Sequence, residues 1–157
     1  MKKKTRLIAQ ARREGVLQQV AALPYRYRDN GEIDFLVITS RRTKRLIVPK
    51  GWPMKGKPDY RAAAIEAHQE AGVRGEIVNQ PIGSFSYIKD VNDVQIPVTA
   101  NVFPLEVKKV KGRWKEDASR KRKWMSAAKA AEMLSDRGLA ELVTLAGAML
   151  NKRSALA

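Results

Sequence analysis

The sequence has no cysteine and only one histidine, His68. Without thiols there is no disulfide framework, no thiolate metal site and no cysteine nucleophile. Such a chain suits a reducing compartment, so the expected location is cytoplasmic. A single histidine cannot build a multi-histidine zinc centre. Any divalent metal must therefore sit mainly on oxygen, as Mg²⁺, Mn²⁺ and Ca²⁺ do. Acidic residues are scarce: 16 Asp+Glu against 31 Lys+Arg leave a net charge of +15. That excess draws in polyanions such as nucleotides, inositol phosphates or nucleic acid. Long apolar runs are also missing. No stretch approaches the roughly 20 residues that span a bilayer. The basic start, Met1 to Arg6, leads to Arg12, Arg13 and Glu14 rather than to the apolar centre of a secretory signal. No membrane partner is expected.

What is present fits one domain, since 157 residues can bury a core without staples. Residues 1–15 read as a loosely ordered basic arm, 16–150 as the domain and 151–157 as a tail. Apolar and β-branched runs predict strands at 16–23 (ended by Pro24), 33–39, 46–48, 73–78, 82–88 and 97–107. The run at 33–39 is apolar nearly throughout, as in a strand covered on both faces. Pro104 predicts an edge or interrupted strand. Residues 29–31 (Asp-Asn-Gly) and 90–93 read as turns. Residues 60–71 are alanine-rich and predict a helix, with Pro58 at its first position and Gly72 ending it. Residues 108–123 are basic and mostly polar. A short helix over 126–134 and a closing amphipathic helix through Leu139, Leu142, Val143, Ala146, Met149 and Leu150 complete the chain. Strands, one helix, more strands and then helices describe an α/β (α+β) fold: a mixed sheet with helices packed on it.

The helix at 60–71 is where chemistry concentrates. At about 100° per residue, Asp59, Glu66 and Glu70 fall within about 40° of one another, with Gln69 about 60° to one side. Tyr60, Ala64, Ala67 and Ala71 form an apolar stripe elsewhere on the helix. Carboxylates at i and i+4 can converge on one hard cation, which commonly takes one or two carboxylates together with phosphates and water. The same spacing also serves an ordinary wet helix face.

The preceding loop narrows that choice. Residues 51–73, Gly-Trp-Pro-Met-Lys-Gly-Lys-Pro-Asp-Tyr-Arg-Ala-Ala-Ala-Ile-Glu-Ala-His-Gln-Glu-Ala-Gly-Val, resemble the Nudix box, G-x5-E-x7-R-E-U-x-E-E-x-G-U, where U is bulky and apolar. Gly51, Glu66, Glu70, Gly72 and Val73 match without a gap. Lys57 stands in place of the first glutamate, Ile65 in place of the arginine and Gln69 in place of one metal-binding glutamate. The stretch Val48-Pro-Lys-Gly-Trp-Pro-Met-Lys-Gly and the later Arg-Lys-Arg-Lys-Trp at 120–124 resemble bacterial Nudix proteins related to diphosphoinositol-polyphosphate and diadenosine-polyphosphate hydrolases.

This resemblance, covering roughly residues 15–150, implies a Nudix α/β/α sandwich with a mixed sheet. It implies Mg²⁺ (or Mn²⁺) on Glu66 and Glu70 with Gln69 beside them, and Glu66 and Glu70 as catalytic residues. It also implies hydrolysis of a phosphoanhydride bond in a nucleoside diphosphate linked to a further moiety, or in a dinucleoside or inositol polyphosphate. Substrate contacts are expected from Lys50, Gly51, Lys55 and Arg41. Lysines can meet phosphate oxygens as point charges. The family arginine pairs with box carboxylates, a role closed to Ile65. The general base stays open among Glu66, Glu70, Asp90, Asp93, Glu106, Glu116 and Asp117. A second expectation follows from the altered box: a Nudix-fold module of weakened catalysis that binds nucleotide or RNA.

Overall fold

The computed structural model describes residues 2–156, and the side chains of residues 2–151. Its centre is a mixed sheet built on two long strands, β1 (Leu17–Tyr27) and β7 (Val94–Val110), which pair in parallel from Leu17↔Val98 to Tyr25↔Glu106. β2 (Ile33–Thr39) adds antiparallel to β1, followed by the short β3 (Leu46–Ile47). β4 (Lys50–Gly51) pairs with β1, and β8 (Arg122–Ser126) pairs with β2. On the other side of β7 run β5 (Val73–Ile77) and β6 (Gly83–Val91), both antiparallel to it.

Alternation along the strands splits the core in two. Ala21, Leu23, Tyr25, Phe35, Val37 and Val102 face one layer. There they meet Ala130 of α3 (Ala127–Met133) and Leu139, Val143, Ala146 and Leu150 of α4 (Arg137–Leu156). Val20, Ala22, Leu36, Ile38 and Phe103 face the other layer and meet α2 (Asp59–Ala71). This is the expected α/β/α sandwich, and β2 is indeed covered on both faces. Within α2 the buried stripe is Ala62, Ala63, Ala67 and Ala71, rather than one that includes Ala64. Alanines there let the helix lie close to the sheet.

Four expectations are corrected. Residues 3–14 are not a loose arm but a helix, α1 (Lys3–Glu14). Its Leu7, Ile8 and Ala11 pack on a small apolar cluster of Leu17, Val91, Ile96 and Val98, with Trp52 alongside. Pro24 does not end β1, and Pro104 lies in the interior of β7. Both prolines sit where their strand changes partner on one side. The β4 side of β1 gives way to β2 at Pro24, where Ala22 N–H still bonds Pro49 O and Tyr25 already faces Phe35. β6 gives way to β5 at Pro104, whose carbonyl accepts from Val78 N–H. A strand residue turns its N–H and C=O to the same side, so the missing donor of Pro24 falls where β4 gives way to β2, whereas Pro104 keeps its carbonyl bond to Val78 and forgoes only the return bond at the end of β5. Finally, residues 108–123 are not one polar segment. β7 runs on to Val110, and β8 begins at Arg122. The 90–93 turn is found as a two-residue hairpin, with Asn92 and Asp93 at φ 51° and 62° and Val91 opposite Val94. Among the described residues no helix is long and apolar enough to cross a membrane.

Candidate functional site

α2 starts after Pro58, the residue at its N-cap, and stops at Gly72, whose left-handed φ of 69° suits glycine. Its Glu66 and Glu70 lie against the strand β4. The Glu70 carboxylate is buried, and its Oε1 accepts the Lys50 backbone N–H at 3.3 Å. Glu66 presses on the next residue: a Cβ on Gly51 would lie 2.5 Å from Glu66 Oε1 and 2.8 Å from Oε2. Glycine is therefore required there by close approach rather than by backbone angle. The two carboxyl groups also bond each other. Burial first, and then that hydrogen bond, push Glu70 up to about 8. The Arg120 guanidinium, 3.5 Å from Glu70 Oε1, opposes the rise.

This pair could hold one divalent cation. A buried carboxylate that resists ionisation beside a second one lacks positive charge, and a hard cation supplies it. Among the described residues no group of three or more His, Cys, Asp or Glu side chains gathers. The acidic donors here are thus the pair alone. Gln69 is half-buried, and its main-chain carbonyl accepts from Glu116 N–H at 3.1 Å.

Lys50 joins the carboxylates to a cavity of about 200 Å³ between the sheet and the start of α4, lined also by Arg45, Val48, Phe85, Tyr87 and Leu139. Its Nζ lies 5.1 Å from the centre of the Tyr87 ring, which stacks with Phe85. Burial lowers Lys50 to about 8, against the attraction of Glu70, and repulsion from Lys89, Arg120 and Arg45 adds to the fall. Lys89 is lowered too, by burial and by the charges of Lys3, Arg41 and Arg42. Tyr87 is held well above its ordinary value by burial, and its hydroxyl donates to Gln19. The cavity thus sets Lys50 and Arg45 over an aromatic wall, with Asp136 as the acidic residue of its lining.

The other anticipated residues divide. Arg41 is exposed and reaches Glu116 at 3.9 Å. Lys55 stands on an exposed turn. Lys57 and Ile65 line a separate groove with Arg61, His68 and Arg74, so Ile65 is directed into that groove rather than along the acidic face. His68 Nε2 is buried there without a hydrogen-bond partner. Of the candidate bases outside the box, Asp90 caps its hairpin through Asp93 N–H, Glu106 pairs with Lys108, and Asp117 accepts Trp114 N–H. Glu116 is tied to Arg120 Nε at 2.8 Å, one residue away from the box carboxylates.

Sequence reasoning marked the segment that leads from β7 into β8 as basic and family-like, and missed what it holds. It satisfies the end of α2 completely: Gln69 O accepts from Glu116 N–H, Glu70 O from Trp114 Nε1 (2.9 Å), Ala71 O from Arg122 Nη1 (2.9 Å) and Gly72 O from Lys111 N–H (2.8 Å). A helix leaves its last carbonyls without internal partners, and here one segment supplies a partner to each of these four. No periodicity announces such long-range bonds.

No family model matches the chain. Among curated proteins, it is 30% identical over 142 residues to Nudix hydrolase 16, mitochondrial, of Arabidopsis thaliana, covering 82% of this chain and 78% of that protein. The chain belongs to the Nudix hydrolase family. Nudix hydrolase 21, chloroplastic, of the same plant is 32% identical over 130 residues, 81% of this chain. This Nudix chain spans 64% of the length of that relative. Among solved structures, the Ap4A hydrolase of C. elegans superposes with a TM-score of 0.63 at 19% identity, covering 86% of this chain and 98% of that one, a likeness of fold.

Proposed function

We propose that this Nudix protein hydrolyses phosphoanhydride bonds in a highly anionic, phosphorylated small molecule, with Mg²⁺ or Mn²⁺ held by Glu66 and Glu70. Dinucleoside polyphosphates and diphosphoinositol polyphosphates are the substrate classes in view. One observation carries the reading: the two box carboxylates meet against Lys50 and Gly51, and the Lys50 side chain lines an adjoining cavity together with Arg45. Bound there, the ion would neutralise phosphate charge and orient a water for attack at phosphorus. The chain's own residues do the rest. Gly51 lets Glu66 reach the main chain, Lys50 N–H fixes one oxygen of Glu70, and Lys50 Nζ with Arg45 draws phosphates towards the carboxylates. Gln69, next to Glu70 on the helix, offers a neutral amide oxygen as a further donor. A cytoplasmic setting is supported by the cysteine-free composition.

A metal-supplemented screen of nucleotide and inositol polyphosphates, reading released phosphate or pyrophosphate, tests the proposal. Turnover should need the cation and fall roughly 100-fold or more in Glu70→Ala, since loss of groups that merely support a ligand already costs about 10–100-fold. Unchanged turnover of Glu70→Ala at saturating metal would overturn it. A second reading, a module that binds nucleotide or RNA with little catalysis, is favoured because among the described residues no group of three acidic side chains gathers at the box. It predicts binding without turnover, steeply salt-dependent for RNA. A large gain in hydrolysis on the double change Ile65→Arg, Gln69→Glu would mark a decayed enzyme.

A further inference from the structure

The box position that carries arginine in the family pattern is Ile65, and Ile65 lines a groove shared with Lys57 and Arg74 rather than the place where Glu66 and Glu70 meet. Among the described residues the only guanidinium within ion-pair distance of a box carboxylate is Arg120. It arrives from the far end of the sequence, just before β8. Its side chain is 8% exposed and held on three sides: Nε donates to Glu116 Oε1 at 2.8 Å, Nη1 to Thr39 O at 3.1 Å, and Nη2 lies 3.5 Å from Glu70 Oε1. The same segment bonds the carbonyls of residues 69–72, which ties the guanidinium to the end of α2.

Resting on the functional reading above, we propose that Arg120 is the positioning residue for Glu70, supplying from the β7–β8 segment the guanidinium that the helix itself lacks at Ile65. Oε1 of Glu70 is occupied by Arg120 and the Lys50 N–H. That leaves the other oxygen to turn towards Glu66, where a cation would be shared. A planar guanidinium fixed by Glu116 and Thr39 sets the rotation of the carboxylate, which an ammonium on a flexible stem cannot do. Glu116 holds Arg120 by a direct bond and reaches the carboxylate pair itself only through its charge.

The test uses the full chain and two variants, Arg120→Lys and Glu116→Gln, with Glu70→Gln as reference. Mn²⁺ binding is read directly from the free-ion electron paramagnetic resonance signal, and steady-state kinetics are run across a Mg²⁺ titration. Arg120→Lys should weaken Mn²⁺ binding about 10–100-fold, the usual effect of removing a group that orients a metal ligand. It should lower kcat while KM at saturating metal stays within about twofold, the pattern of a lost interaction confined to the transition state. Glu116→Gln loosens the arginine and also removes a negative charge that raises Glu70, which by itself would favour the cation; weaker Mn²⁺ binding and lower kcat in this variant therefore report the loosened arginine, and they decide the matter if Arg120→Lys does not fold. Unchanged or tighter Mn²⁺ binding in the folded variants overturns the proposal. So does an effect confined to KM, which would place Arg120 on substrate instead. Mn²⁺ binding that survives in Glu70→Gln undercuts the functional reading itself, whereas its loss in Glu70→Gln with none in Arg120→Lys sinks the role of Arg120 alone.

Discussion

The Glu66 carboxylate fills the space that a β-carbon of Gly51 would occupy, 2.5 Å from Oε1. A methyl group at residue 51 must therefore expel the carboxylate, because real contacts of that kind are not closer than about 3 Å. Gly51→Ala should cost at least roughly tenfold in kcat/KM, the scale on which a small misplacement of a reacting group is felt. The sheet pairing of Gly51 with Val20 stays possible, so the circular dichroism spectrum should be retained. Normal activity in Gly51→Ala would show that the position of Glu66 is not needed.

Metal-free protein should lose stability as pH rises. Burial and the bond to Glu66 put Glu70 at about 8 in the fold against an ordinary 4.5. Between these values the folded state keeps a proton that the unfolded chain has released, so stability falls with increasing pH across that window. The contribution is fully present below about 4.5 and gone above about 8. Glu70→Gln removes the effect. In the absence of divalent ions it should melt several degrees above the parent at pH 8 and level with it at pH 4, and saturating Mg²⁺ should close the gap by stabilising only the parent. Equal melting curves at pH 8 would mean that Glu70 ionises freely in its burial.

Local patterns predicted most of the frame and little of its fastening. The period of the apolar residues located β2, the helix α2 and its stop at Gly72, and the box register placed Glu66 and Glu70 one turn apart on α2, where the structure brings both against β4. The prolines misled because each sits where its strand changes partner on one side, β4 to β2 at Pro24 and β6 to β5 at Pro104, so a long strand continues at the loss of at most one ladder bond apiece. α1 was hidden by its charges: Leu7, Ile8 and Ala11 are few, and their burial depends on Trp52 and Val98 from distant parts of the chain. Arg120 was visible as the first residue of the Arg-Lys-Arg-Lys-Trp stretch that resembles the family, but with no role attached to it. Its meeting with Glu70 joins positions 50 residues apart and leaves no mark in spacing or composition.

The clamp on α2 predicts a local weakness. Trp114 Nε1 is the donor to Glu70 O, so Trp114→Phe keeps the ring under Arg122 Cζ (3.9 Å from its centre in the parent) and deletes one hydrogen bond. The loss should be about 1 kcal/mol, or roughly 2–4 °C in melting temperature for a chain of this size. Amide exchange should rise most at residues 69–73, where the helix end loses a partner, and little in β2. A uniform rise over the whole sheet would show that the segment supports global stability rather than the helix end.

Lys50 and Lys55 were both expected to meet substrate, and the structure separates them. Lys50 lines the cavity beside Glu70, whereas Lys55 projects from an exposed turn. Burial of the Lys50 ammonium, lowered to about 8, is a cost to the fold at neutral pH, because the unfolded chain carries that charge in water. Lys50→Met should therefore change two quantities in opposite senses at pH 7. The melting temperature should rise by a few degrees as the buried charge is removed, and KM for a polyphosphate substrate should rise roughly tenfold or more as a charge-assisted contact is lost. Lys55→Met should leave the melting temperature unchanged and KM within about twofold, since an exposed charge several ångströms away is screened by salt. A variant at Lys50 that loses stability together with affinity would identify the lysine as a structural prop, and the cavity beside it would lose its claim on the phosphate chain.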